Sequence, residues 1–230
     1  MFAPSLLLHY LVILRHMNYT HDDIFNMLVL GDFPRNYARA TYDLVGQQNT
    51  IYFEAMDRVR ESNTDAAIDK DYFEHDAIIS FFPERARETS YYISNVAIEI
   101  KTNLRNLQED EKMPQYIGPA NAFFLAVPSP LLKHAIKKIL SFKPQANRIG
   151  LIEALSGDIV IMPQQKEDWI DVERRDRLLG HIYMMKKRVE TPKPEHKIMA
   201  TRLGLDRPRF VQYKGLQVNS NYLNHIRSIL

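Results

Sequence analysis

In the run Val96-Ala97-Ile98-Glu99-Ile100-Lys101 a carboxylate and an ammonium stand two residues apart among apolar neighbours. Side chains alternate along a strand, so Glu99 and Lys101 share one face while Ile98 and Ile100 share the other. Burying such charge without partners is costly, so the position calls for a metal, an ion pair or water. A sheet-edge salt bridge would satisfy this hexapeptide taken alone. Asp76 changes the weighing, because it opens the run Asp76-Ala77-Ile78-Ile79 and a hairpin could bring its carboxylate beside that of Glu99. Two convergent carboxylates make the hard-oxygen site that Mg²⁺ prefers, with Mn²⁺ as the alternative ion and several waters left in place. Phosphodiester hydrolysis uses the same parts: a metal-activated water, stabilisation of the charge that develops, and a cation such as Lys101 near the phosphate.

The elements that must position these groups can be read from pattern. Ala77–Phe82 looks like a strand ended by Pro83, residues 84–90 like a turn, and Tyr91–Lys101 like a second extended run rich in β-formers. Asn103–Ile117 is polar and helical in character. Ala122–Val127 is a continuous apolar run bounded by Pro128, as a strand covered on both faces would be. Leu131–Leu140 has helical spacing, and Arg148–Glu153 and Asp158–Met162 read as short strands joined at Ser156-Gly157. Ahead of this core, residues 5–17 predict a helix. Thr20 is a candidate N-cap, with Asp22 and Asp23 in the first turn of a second helix striped by Ile24, Phe25, Leu28 and Val29. Gly31-Asp32-Phe33-Pro34 breaks that helix, a third runs from about Arg35 towards Gln48, and a further amphipathic helix is expected over residues 49–62. Helix, turn, helix fits a DNA reader as well as a cap on a catalytic core, with the cap favoured.

The expected fold is therefore α/β, a central mixed β-sheet flanked by helices with helical extensions at both ends. Residues 1–62 form the N-terminal helical region, 63–165 the core, and 166–230 a basic, mostly helical extension with a linker at 190–197.

Asp76 followed by Glu99-Ile100-Lys101 resembles the D…(D/E)-x-K signature of PD-(D/E)XK nucleases, whose core is restriction-endonuclease-like. More narrowly, residues 74–162 resemble the MmcB-like DNA repair endonucleases. There a strand ending in E-I-K precedes a polar helix, a K-W-x-x-Y element and an F-Y-F-A-V-P strand. This chain offers Glu99-Ile100-Lys101, then Lys112-Met113-Pro114-Gln115-Tyr116, then Phe123-Phe124-Leu125-Ala126-Val127-Pro128. His75 stands where the superfamily name has Pro, and Met113 where the narrower group has Trp. The resemblance implies that Asp76, Glu99 and the carbonyl of Ile100 hold Mg²⁺, and that Lys101 orients or activates the attacking water. Lys112 and Tyr116 could reach the site or a phosphate; packing serves them equally well.

Other candidates carry less. Glu54 falls where some superfamily members keep a further acidic ligand, but Glu54, Asp57 and Glu61 also make an ordinary solvated helix face. His75 could handle protons beside Asp76, although a structural role suits it better. Asp71 and Glu74 read as loop. Arg174, Arg175, Arg177, Lys186, Lys187 and Arg188 form the densest basic region, a solvated helix or a DNA-backbone contact. Tyr213-Lys214 and a final helix from Tyr222 to Leu230 suit either dimerisation or covering of the core.

Composition narrows the classes. The 230 residues are 45% apolar, enough for one sizeable core, and contain no cysteine, which removes disulfides and thiolate chemistry. Residues 1–165 hold 16 Lys/Arg against 20 Asp/Glu, a net of −4; residues 166–230 hold 14 against 8, a net of +6. A basic tail beside an acidic core is compatible with phosphate binding next to a metal. The apolar run Leu6–Leu14 is too short to span a bilayer and lacks a basic leader, so a cytoplasmic location without a membrane partner is expected. There is no Walker motif, dinucleotide fingerprint, nucleophile elbow or zinc-spaced His pair. The expected partner is DNA, with RNA and a homodimer both open. A non-catalytic nucleic-acid-binding module on the same fold is the rival reading.

Overall fold

The computed structural model describes residues 19–41, 50–61, 73–83, 94–164, 171–188, 196–199 and 208–229. In chain order the elements are α1 (His21–Leu30), α2 (Phe33–Thr41), β1 (Thr50–Glu61), β2 (Phe73–Pro83), β3 (Ser94–Ile100), α3 (Leu104–Glu109) and a 3₁₀ turn at Met113–Tyr116. There follow β4 (Ala122–Val127), α4 (Leu132–Ser141), β5 (Ile149–Glu153), β6 (Asp158–Met162) and α5 (Val172–Arg188). The chain closes with β7 (His196–Met199), β8 (Phe210–Tyr213), β9 (Leu216–Asn219) and α6 (Leu223–Ile229).

All the strands join one mixed sheet in the order β7-β1-β2-β3-β4-β5-β6-β9-β8. The central β3–β4 and β4–β5 pairs are parallel, and every other pair is antiparallel. Fully buried runs such as Ser94–Ile100 and Ala122–Val127 make that centre, and the second is the unbroken apolar sequence such a position favours. One face carries Ile78, Ala97, Phe123, Leu125 and Leu151 against Leu132, Ile136 and Ile139 of α4, Leu178 of α5 and Ile226 of α6. The opposite face carries Ile79, Phe81, Val96, Ile98 and Phe124 against Ile24 and Leu28 of α1 and Phe33, Tyr37 and Ala38 of α2. The architecture is α/β with helices on both faces of a mixed sheet.

Thr20 caps α1 as expected: its hydroxyl accepts from the Asp23 amide and its own amide donates to the Asp23 carboxylate. The two N-terminal helices bury their apolar stripes on the sheet, which is the geometry of a cap. Phe33 and Tyr37 stand against Phe124, ring centroids 5.6 and 5.9 Å away, in edge contacts. Gly157, in the β5–β6 turn at φ +70°, lets this cap come down. A Cβ there would lie 2.5 Å from the Phe33 amide nitrogen.

Several expectations are corrected. Residues 50–61 form a strand, paired along β2 and with β7, where an amphipathic helix was expected. Glu54, Asp57 and Glu61 imitate a helical polar face, but Ile51, Tyr52, Phe53 and Val59 are β-formers and the pairing decides. Glu74 lies within β2 rather than in a loop, and β2 begins at Phe73, three residues before Asp76. The C-terminal extension does carry helices, but it also adds β7, β8 and β9, with His196 and Lys197 of the expected linker inside β7. Lys214 and Gly215, both at positive φ, make the tight turn between β8 and β9. Ile226 of the final helix is buried in the core, so this helix covers the sheet. The predicted helix at 5–17, the turn at 84–90 and Asp71 lie outside the described residues.

Candidate active site

The β2–β3 ladder runs regularly as far as Ala77 opposite Ile98. One step further, a side chain takes over from the backbone. Asp76 Oδ2 accepts the Ile100 amide hydrogen at 2.7 Å, which pins the end of β3 to this carboxylate. On the other side the Lys101 amide donates to the Ala126 carbonyl of β4. Opposite this point β1 is irregular: its pairing with β2 steps from Asp57 to Val59, and Arg58 between them has φ +50°. Such a conformation costs an Arg about 1–3 kcal/mol and is held here by its surroundings. The kink also breaks alternation, since Met56 and Val59 fall in the same core cluster.

Glu99 and Lys101 project together, as alternation requires. Lys101 Nζ lies 2.7 Å from Glu99 Oε1 and 2.8 Å from Asp110 Oδ2, one cation between two buried carboxylates. Asp110 closes α3, and its Oδ1 accepts the Lys112 amide. Sequence reasoning missed Asp110. Glu109-Asp110-Glu111 reads as the solvated end of a polar helix, and only the fold brings its middle residue onto Lys101.

Burial and the neighbouring Asp76 charge push the Glu99 carboxyl up to about 8, against the opposing pull of Lys101. Burial also raises Asp76, while the Ile100 amide, His21 and Lys101 work the other way. Burial disfavours the charged Lys101, yet Glu99 and Asp110 outweigh it and hold the ammonium above its ordinary range. Tyr116 is pushed up to about 12 by burial and by Glu99 and Asp110, so its hydroxyl lies within reach of their field and stays a neutral donor. Asp76, Glu99, Lys101 and Tyr116 are therefore one electrostatic unit.

His75 is buried with its ring 5.9 Å from that of Tyr116, and burial with the Arg174 charge lowers it to about 4. It is a neutral packing residue. His21, the first residue of α1, was not singled out from sequence, yet its Nε2 lies 3.3 Å from Asp76 Oδ1. Glu54 pairs with Ser80, four residues along β2 from Asp76 and so about 13 Å away. Lys112 is exposed ahead of the 3₁₀ turn. Arg174 donates to the carbonyls of Gln115 and Ile117, clamping the turn that carries Tyr116. Arg175 and Arg177 lie near Asp176 and Glu173, while Lys186, Lys187 and Arg188 occupy the last turn of α5.

Among the described residues, no group of three or more His, Asp or Glu side chains stands ready to hold a metal ion. The donor chemistry nevertheless suits one. Asp76, Glu99 and the Ile100 carbonyl are hard oxygen donors of the kind a divalent cation takes, with the Asp76 charge working against that of Glu99 and Lys101 already paired to Glu99. No helix among the described residues is long and apolar enough to cross a membrane.

No protein-family profile matches this chain, and no curated protein does. Among solved structures, a protein of unknown function from Silicibacter pomeroyi is similar at 17% identity and a TM-score of 0.39. The match covers 68% of this chain and 84% of that one.

Proposed function

We propose that this protein is a divalent-metal-dependent nuclease that hydrolyses phosphodiester bonds in DNA. The observation that carries the reading is the convergence at the end of β3 of Asp76 on the Ile100 amide, the buried Glu99 and the part-buried Lys101, with the Glu99 carboxyl displaced to about 8. Strongly perturbed carboxylates with a fixed cation beside them are what hydrolytic sites require. The resemblance of Asp76…Glu99-Ile100-Lys101 to PD-(D/E)XK nucleases, and of residues 74–162 to the MmcB-like DNA repair endonucleases, supports the same assignment.

Asp76, Glu99 and the Ile100 carbonyl would hold Mg²⁺ or Mn²⁺. When bound, the ion supplies an acidified water and neutralises charge on the phosphate. Accepting it requires Glu99 to give up its contact with Lys101. Lys101, still paired with Asp110, would then supply a cation for the attacking water or a phosphate oxygen. Asp76 stays fixed through the Ile100 amide, so the strand end is a rigid platform. Tyr116 offers a neutral hydroxyl to a phosphate oxygen. Arg175, Arg177 and the basic end of α5 would follow the DNA backbone.

A second reading has its own observation. Lys101 already bridges two carboxylates, so the three could be an ionic knot in a non-catalytic nucleic-acid-binding module. Cleavage of supercoiled plasmid and of labelled single- and double-stranded oligonucleotides, in Mg²⁺, Mn²⁺ and EDTA, separates the two. Metal-dependent cleavage lost in Glu99→Ala and Lys101→Ala supports the nuclease. No cleavage of any substrate, with parent and variants binding DNA alike, supports the module.

A further inference from the structure

Resting on the nuclease reading, we propose that α4, α6 and the β8–β9 hairpin form the face on which a DNA duplex lies as it enters the site. The sequence supplies the charge. Residues 112–152 contain Lys112, Lys133, Lys137, Lys138, Lys143 and Arg148 and not one Asp or Glu. Residues 208–229 contain Arg209, Lys214 and Arg227 and again no acidic residue. The whole chain holds 30 Lys/Arg against 28 Asp/Glu, so the basic character of these stretches is segregation of charge rather than an excess of it.

The fold gathers the two stretches together. α4 buries Leu132, Ala135, Ile136 and Ile139, which turns Lys133 and Lys137, one helical turn apart, outwards. Lys143 follows just after the helix and is exposed as well. α6 packs against α4, and the turn at Gln145–Arg148 packs against β9, so the basic segments are neighbours. Arg227 of α6 and Lys214 of the hairpin each stand 5.8 Å from the centre of the Tyr213 ring. Arg209, Lys214 and Arg227 are all exposed. Among the described residues, no carboxylate pairs with Lys133, Lys137, Lys143, Arg209 or Arg227, whereas Lys138 is committed to Glu111 and the Gln108 carbonyl.

The face also begins beside the reacting groups. By alternation Glu99 and Lys101 share the sheet side of Ala97, which is the side covered by α4, α5 and α6. On that side α5 packs on β1 and α4 on β4 and β5, so the end of β3 lies between them. Lys138 ties α4 to α3, whose closing residue Asp110 holds Lys101. Three strand steps separate β5 from β8, about 14 Å. A duplex carries about eight phosphates over that length. The α5 flank differs, because its first arginines are engaged within the protein. Arg177 bonds Glu173 at 2.9 Å, Arg175 lies 3.7 Å from Asp176, and Arg174 donates to the Gln115 and Ile117 carbonyls. Cations without a carboxylate partner gain most from phosphate, so α5 contributes the smaller share of the binding.

The test uses the full chain in EDTA, so that nothing is cleaved, with a labelled DNA duplex of random sequence. Anisotropy titrations across a KCl series give the affinity and its salt slope. The parent is compared with the triple variant Lys133→Gln, Lys137→Gln, Lys143→Gln, with the triple variant Arg209→Gln, Lys214→Gln, Arg227→Gln, and with the α5 pair Arg175→Gln, Arg177→Gln. Urea midpoints establish that each is folded. Each triple variant should weaken binding about tenfold or more and lower the slope of log K against log salt by about 2, while the α5 pair changes affinity by less than about threefold. Parental affinity and slope in the folded triple variants, beside a parent that cleaves with metal, overturns the face and leaves the nuclease reading standing. Tighter binding of an RNA duplex of the same length overturns DNA as the occupant. Binding that weakens in both triple variants, by a parent that cleaves nothing in Mg²⁺ or Mn²⁺, upholds the face and sinks the nuclease reading.

Discussion

Glu99 and Glu153 are the same residue type at the carboxyl ends of two strands of the same parallel set, each 5% exposed, yet their surroundings differ in kind. Glu153 accepts the Ser129 hydroxyl and the amides of Leu155 and Ser156, three neutral donors that fold the β5–β6 turn around it. Glu99 has one cation, which it shares with Asp110, and it feels a second carboxylate in Asp76. A buried carboxylate supplied with neutral donors is a structural bolt. One left with a lysine shared with a second carboxylate and a like-charged neighbour is a group whose partners can be exchanged, as ligand binding requires. Burial alone would not have separated the two; the identity of the donors does.

Exchanging each carboxylate gives the largest expected effects. Glu99→Gln and Lys101→Ala should each lower metal-dependent cleavage by about 100-fold or more in single-turnover assays. Lys101→Ala, which leaves Glu99 and Asp110 without their cation, should also lower stability by about 3 kcal/mol. Glu153→Ala should leave metal affinity unchanged and lower stability by about 2 kcal/mol or more in urea unfolding, because two amides and a hydroxyl lose their acceptor. A Glu153 variant that folds normally but no longer binds metal would erase the distinction.

Thinning each neighbourhood by one group gives smaller effects. Asp110→Asn leaves Lys101 with Glu99 alone and should reduce cleavage by about tenfold, measured as kcat with KM nearly constant. Ser129→Ala removes one of three donors from Glu153 and should lower stability by about 1 kcal/mol without touching cleavage.

The least effect is on pH dependence. The folded protein holds the Glu99 proton up to about 8, whereas the ordinary carboxyl releases it near 4.5. The native state therefore binds more protons across that interval, and stability falls as pH rises from about 4.5 towards 8. Glu99→Gln should flatten this slope in metal-free urea midpoints taken at pH 5, 6.5 and 8. An unchanged slope would place the titrating group elsewhere.

Much of the sheet was legible because its centre is buried on both sides. Ala122–Val127 and Ile149–Ile152 are short apolar runs, and six residues bounded by Pro128 suit a strand covered on both faces better than a helix. Alternation placed Glu99 and Lys101 on one side, and the helix-cap chemistry of Thr20 was plain from Asp22 and Asp23. β1 was misread because the spacing of Glu54, Asp57 and Glu61 mimics a helix, while its strand character comes from distant partners in β2 and β7. The short β8–β9 hairpin was missed although Lys214-Gly215 is a fair turn signal. Asp110 and His21 could not be read at all. Each reaches the site through tertiary packing, one from the end of α3 and the other from the start of α1.

The central claim is tested most directly by single-turnover cleavage of a labelled DNA duplex and single strand by the parent, Glu99→Gln and Glu153→Gln, in Mg²⁺ and Mn²⁺. The account predicts that the parent and Glu153→Gln cleave with metal and stop with EDTA, and that Glu99→Gln does not cleave. Cleavage by Glu99→Gln at the parental rate, or none by a folded, DNA-binding parent, would contradict it.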